Sequence, residues 1–169
     1  MGRIRIMDSL TAIQYAMDFY YEITGLRSYF VQGVDEVDSA KEKNFFCKTL
    51  KLSSKALNHC DACTLENYTN ALSKNEIQMY SCHAGLVKWS VPVEFPDAKG
   101  VIVSEGVISS QQVADKNQWI DYLVEKYNLP RNILMENYEH IVEMTEKQVD
   151  DSVKLLCALL EYYRTLCEE

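Results

Sequence analysis

Apolar residues recur at helical spacing over residues 8–24: Leu10, Ile13, Met17 and Tyr20, with Ala12, Ala16, Phe19 and Ile23 widening the face. The pattern predicts a helix capped by Asp8 or Ser9. Gly25 follows, a residue that accepts the left-handed backbone of a helix end. The stretch "LRSYFVQG" (26–33) is short, aromatic and β-branched and reads as a strand. Residues 34–44 are polar and read as a loop, and "FFCKTLKLS" (45–53) as a short helix. Residues 54–75 predict one or two helices, with Leu65, Tyr68 and Leu72 at helical spacing.

The pattern then changes period. "IQMYSC" (77–82) is strand-like and runs into Ala84-Gly85. "LVKWSVPVEF" (86–95) alternates, with Val87, Trp89, Val91 and Val93 on one face; Pro92 inside it marks an edge or a bulge. "PDAKG" (96–100) predicts a hairpin loop and "VIVSEGVIS" (101–109) the returning strand.

The remainder returns to helical period. A helix is expected from the serines at 109–110, presenting Trp119, Ile120, Leu123 and Val124. Pro130 opens another, and a last one begins near Thr145. There Val149, Val153, Leu156, Leu160, Tyr163 and Cys167 are spaced 4, 3, 4, 3, 4, a heptad row. A second apolar row, Leu155, Leu159, Tyr162 and Leu166, runs beside it. These elements predict an α+β fold, a mostly antiparallel sheet with flanking helices and a long C-terminal helix that leaves the core. The expected division is a folded unit over 8–143 and a signalling or dimerisation helix over 144–169, joining two copies into a homodimer.

Composition narrows the class. The 169 residues are 47% hydrophobic and 25% charged, an ordinary globular balance for one domain. The net charge, 17 − 25 = −8, argues against direct nucleic-acid binding. No apolar run approaches the ~20 residues of a membrane span, and the N-terminus lacks the apolar segment of a secretory signal. A cytoplasmic protein is expected, whose six cysteines are thiols or metal ligands rather than disulfides.

Four of those cysteines, Cys47, Cys60, Cys63 and Cys82, fall in the middle third. Four thiolates with one C-x2-C pair suit tetrahedral zinc or an iron–sulfur cluster, and His59 or His83 can replace a thiolate. Buried free thiols are the plainer reading of the same residues. Cys82 and His83 are neighbours, and in a strand neighbours face opposite ways, so they make no catalytic pair unless the turn bends them together. No nucleophile-elbow, phosphate-loop or dinucleotide glycine pattern occurs, and no enzymatic activity is expected. Phe45, Phe46, Tyr80 and Trp89 surround the cysteine region as candidate walls of a small-molecule pocket.

"FFCKTLKLS", "LNHCDACTLENYTNAL", "YSCHAGLVKWSVPVEF" and "KGVIVSEGV", in that order, resemble the PocR-type ligand-binding sensory domain over residues 8–165. Cys47, Cys60, Cys82, His83 and Gly85 fall on that family's motif; Cys63 does not. The resemblance implies a PAS-related fold that binds a small organic molecule, a hydrocarbon derivative such as propanediol. It also implies an output that is a histidine kinase or an AraC-type regulator. Where the family tends to carry Gly-Gly-Gln, this chain has Ser104-Glu105-Gly106, which makes Glu105 a candidate for altered ligand choice. The expected ligand set is thus Phe45, Phe46, Tyr80, His83, Trp89 and Glu105, with Cys47, Cys60, Cys63 and Cys82 as the metal set. The competing reading is a metal or iron–sulfur redox sensor on the cysteine cluster.

Overall fold

The computed structural model describes residues 6–37 and 44–168. Part of the expected 34–44 loop and the ends of the chain lie outside them. The elements run α1 (Ser9–Thr24), β1 (Ser28–Val31), α2 (Phe45–Leu50), α3 (Ser54–Lys74), β2 (Gln78–Ser81), β3 (Val87–Phe95), β4 (Ala98–Ser104), β5 (Val107–Ile108), α4 (Ser110–Ala114), α5 (Lys116–Tyr127), α6 (Arg131–Asn137), β6 (Val142–Glu143) and α7 (Glu146–Thr165). This is the α+β architecture that the change of period predicts.

The helix ends follow local chemistry. Asp8 accepts a hydrogen bond from Thr11 N, and Gly25 closes α1 at φ 74°. Thr145 and Gln148 form a reciprocal capping box at the start of α7, as Ser109 and Gln112 do for α4.

Six strands form one sheet in the order β1-β4-β3-β5-β6, with β2 on the other side of β3. All pairs are antiparallel except β5–β6. One face carries Trp89, Val91, Val93, Phe95 and Ile102 and is covered by α1 and α7. The opposite face carries Val31, Val101 and Val103 and is covered by α3 through Tyr68 and Ala71. A third cluster, at the end of the sheet, joins α2, α5 and α6 to Ala84, Leu86 and Ile108.

Several expectations are corrected here. The C-terminal helix does not leave the core: its heptad row is buried from Val149 to Cys167 against α1 and β3. An apolar stripe needs a partner, and α1 and the sheet are that partner within one chain. The 96–100 loop shrinks to Pro96-Asp97, because Ala98 already pairs with Phe95. The returning strand 101–109 breaks at Glu105-Gly106 into β4 and β5, where Glu105 turns its backbone N–H to Arg27 O. The helix expected after Ser109 divides at Asp115. The 34–44 loop contains a 3-10 turn at Val34–Glu36. Pro92 lies beyond the reach of β2, where β3 is an edge, as a strand proline requires.

At Gly100 the sheet admits no side chain. A β-carbon there would stand 2.2 Å from Val31 O and 2.9 Å from the Phe30 ring. We expect Gly100→Ala to cost about 2–3 kcal/mol in chemical denaturation, the scale of overpacking in a closed site.

Candidate functional site

Between α2, α3 and the β2–β3 hairpin lies a cavity of about 30 Å³. Its walls include Cys47 and Lys51 from the α2 segment, Cys60, Cys63 and Thr64 from α3, Tyr80 from β2, Cys82 and His83 from the turn, and Lys88 from β3. All four cysteines of the middle third therefore meet at one place.

Each arrives by a local rule. Cys60, Cys63 and Thr64 stand at i, i+3 and i+4 of a continuous helix and share one face. The C-x2-C pair lies within the helical stretch expected over 54–75. In β2 and β3, Tyr80 pairs with Lys88 and Met79 with Trp89, so Tyr80 and Lys88 face α3 while Trp89 faces away. The connection Cys82–Leu86 is a three-residue hairpin loop: Cys82 N donates to Leu86 O and Gly85 N to Cys82 O, both at 2.8 Å. Gly85 takes φ 91°, the left-handed value this loop needs. Because the chain is already turning at His83, Cys82 and His83 face the same cavity. The expectation of opposed faces, taken from strand alternation, is corrected by that turn.

Helices α4 and α5 clamp the loop from behind. Trp119 Nε1 donates to Ala84 O at 2.6 Å, and the Gln112 side-chain amide donates to Gly85 O. Phe46 stacks on Trp119 with centroids 5.2 Å apart, which fixes α2 against the same helix.

A hydrogen-bonded chain leads out of the cavity. Cys60 Sγ is 2.8 Å from His83 Nε2, His83 Nδ1 is 2.5 Å from Tyr127 Oη, and Tyr127 Oη is 2.9 Å from His59 Nδ1. Burial, then the His59 ring and nearby lysines, pushes His83 down to about 4. Burial pushes Cys60 up to about 11 and raises Cys63 as well. At neutral pH the thiol and the imidazole are both uncharged. A neutral imidazole donates from one nitrogen and accepts at the other, so the chain runs in one sense throughout. Imidazole nitrogen is a better acceptor than thiol sulfur. The favoured sense is therefore Cys60 S–H to His83, His83 N–H to Tyr127, and Tyr127 O–H to His59.

A family model, the sensory domain found in PocR, matches residues 8–168, nearly the whole chain. The chain belongs to the PocR sensory-domain family. No curated protein and no solved structure matches it.

Within this PocR domain the expected ligand residues divide. Tyr80 and His83 line the cavity. Trp89 is fully buried on the other face of the sheet, and Phe46 is fully buried against Trp119 beside the cavity. Phe45 is exposed and lies over His140 at 4.9 Å between ring centroids. Glu105 is buried behind α2, where Oε1 accepts from Arg27 N at 2.5 Å and Oε2 from Asn44 Nδ2 at 3.2 Å. Asn44 in turn caps α2, accepting from Phe46 N and Cys47 N. Glu105 thus positions the helix that carries Cys47 and does not line the cavity.

The metal set shares a cavity wall, yet among the described residues no three His, Cys, Asp or Glu side chains are grouped to hold an ion. The residue that sequence reasoning missed is Tyr127. Nothing in the periodicity of α5 separates it from a core aromatic, and only its hydroxyl's two histidine partners mark it. Lys51, Thr64 and Lys88 were missed as well, because only the packing of α2, α3 and the hairpin brings them to the cavity.

His83 predicts a pH dependence. Its pKa is lower folded than unfolded, so below the unfolded value of about 6.5 the unfolded chain binds the extra proton. Stability is therefore full above that pH and falls as pH drops toward 4. Denaturation midpoints between pH 7 and 5 should show this decline, and His83→Gln should remove most of it.

Proposed function

We propose that this PocR domain is a cytosolic, non-catalytic sensor that binds a small organic molecule in the cysteine-lined cavity and passes the event to an output. The carrying observation is the cavity itself. Three separate parts of the chain, α2, α3 and the hairpin turn, converge on it with polar groups that a plain core would not gather. At about 30 Å³ it holds roughly one or two waters, so a larger ligand must shift the α2 or α3 wall.

Family membership supports sensing; the ligand class and the output are this reading's own. We assign the output to a histidine kinase or an AraC-type regulator, following the family resemblance. The small-molecule reading is preferred to a metal or iron–sulfur sensor because among the described residues no three His, Cys, Asp or Glu side chains are grouped to hold an ion. Stoichiometric zinc or iron in elemental analysis of purified protein would reverse that order. No helix among the described residues is long and apolar enough to cross a membrane.

A panel of C2–C4 alcohols, diols and acids should include at least one compound that raises the melting temperature. Ligand at a hundred times its Kd contributes about 2.7 kcal/mol, and each kcal/mol is worth roughly 2–4 °C in a chain of this size. Thr64→Leu, which fills the cavity, should abolish the shift without lowering the starting melting temperature. A flat panel with wild-type protein would sink the reading.

The outward side of α7 supports the homodimer. Its inner row is used within the chain, while Tyr162 stays 59% exposed beside half-buried Leu155, Leu159 and Leu166. Phe19 and Tyr15 of α1 extend this strip and stack on Tyr163. We expect a dimer by light scattering, and a monomer of unchanged helicity for Tyr162→Glu.

A further inference from the structure

The contact between Cys60 and His83 suits a more specific task than lining a pocket. Cys60 Sγ stands 2.8 Å from His83 Nε2 at the wall of a small cavity. A thiol with a base in hydrogen-bond reach is the arrangement that adds to an electrophilic carbon, and a carbonyl is an electrophile whose addition needs no oxidant and expels no leaving group. Cys60 is half-buried at the cavity wall, so a small solute reaches its sulfur.

We propose that Cys60 reversibly captures a one- or two-carbon aldehyde in this cavity as a hemithioacetal, with His83 carrying the proton. The proposal rests on the reading that the cavity is the ligand site. The Cys60 Sγ–carbon bond forms as the carbonyl π bond opens. His83 Nε2, 2.8 Å from Sγ, takes the S–H proton and returns it to the new alkoxide oxygen. Nothing is oxidised, nothing leaves, and the reverse sequence frees the aldehyde.

Three further features fit that step. While His83 is briefly protonated, its Nδ1–H remains bonded to Tyr127 Oη, whose hydroxyl reaches His59, so the charge is shared toward the half-buried end of the chain. Lys51 and Lys88 line the same cavity and favour negative charge developing on oxygen. Tyr80 Oη is buried with no hydrogen-bond partner among the described residues. Tyr80 itself lines the cavity. The small volume selects against longer aldehydes.

The test uses the whole chain, carbonyl-labelled acetaldehyde followed by carbon NMR, and ethanol as the non-electrophilic match. The labelled carbon should move saturably to the position of a tetrahedral carbon bonded to sulfur and oxygen. Cys60→Ala should lose this signal, and Cys157→Ala, altered outside the cavity, should keep it. If Cys60→Ala does not fold, Cys60→Ser replaces it and should lose the sulfur-bonded signal. His83→Gln should slow its appearance about a hundredfold, the effect expected when a proton carrier is lost.

Three results would overturn capture at Cys60. One is a signal that persists in Cys60→Ala. Another is a borohydride-stable ethyl group on Lys51 or Lys88. The third is equal thermal stabilisation by ethanol and acetaldehyde, which would leave the ligand-site reading intact. If acetaldehyde, ethanol and the wider panel all leave the protein unchanged, both readings fall.

Discussion

Reversing a chain in three residues forces one of them into the left-handed region, and in the hairpin between β2 and β3 that residue is Gly85. A β-carbon at Gly85 would also meet the Gln112 amide at 2.7 Å and the Trp119 indole nitrogen at 3.3 Å. These two side chains hold the loop's carbonyls, so the turn and the α4–α5 pair fix each other. Because the turn is this tight, Cys82 and His83 face the same side. Tyr127 lies eight residues beyond Trp119, about two helical turns along α5, which brings its hydroxyl to His83. The cavity, the thiol–imidazole contact and the chain to His59 all follow from one short loop and the helix that clamps it.

A second constraint ties the opposite wall of the cavity to the rest of the domain. Glu105 interrupts what would otherwise be one strand. It is buried, and it accepts from the backbone of Arg27 and from Asn44. Asn44 caps α2 with its carbonyl and donates its amide hydrogens to Glu105 and to His140 O. His140 precedes β6, and β6 leads within three residues into α7. The cysteine-bearing wall is thereby joined, by hydrogen bonds and then by the chain itself, to the helix proposed to meet a second copy. A carboxylate in such a place can stay buried because its charge is met by donors rather than by water.

The electrostatics give the site its character. Four thiols in one cavity invite a metal reading, but desolvation raises the pKa of Cys60 and Cys63 and lowers that of His83. Burial keeps the two thiols protonated at rest, whereas neutral His83 is the form that can ligate a cation; among the described residues no three such side chains are grouped to hold one.

Much of this was legible in the residues. Local signals determined most of the elements: period 3.6 in α1, α3 and α7, alternation in β3, the caps at Asp8, Ser109 and Thr145, and the Ala-Gly turn. Motif spacing brought forward Cys47, Cys60, Cys82 and His83, because these residue types are uncommon and their order is distinctive. The tertiary structure alone decided which face each one serves. Trp89 and Tyr80 are both strand aromatics, and only the β2–β3 register sends them to opposite sides. The heptad row of α7 reads equally well as an interface or as a core stripe, and it is core because α1 lies against it. Tyr127 and Glu105 have no local signature, since their roles consist of partners 44 and 78 residues away in the chain. Periodicity records how a segment meets an apolar surface; it does not record which surface, or which polar atom waits there.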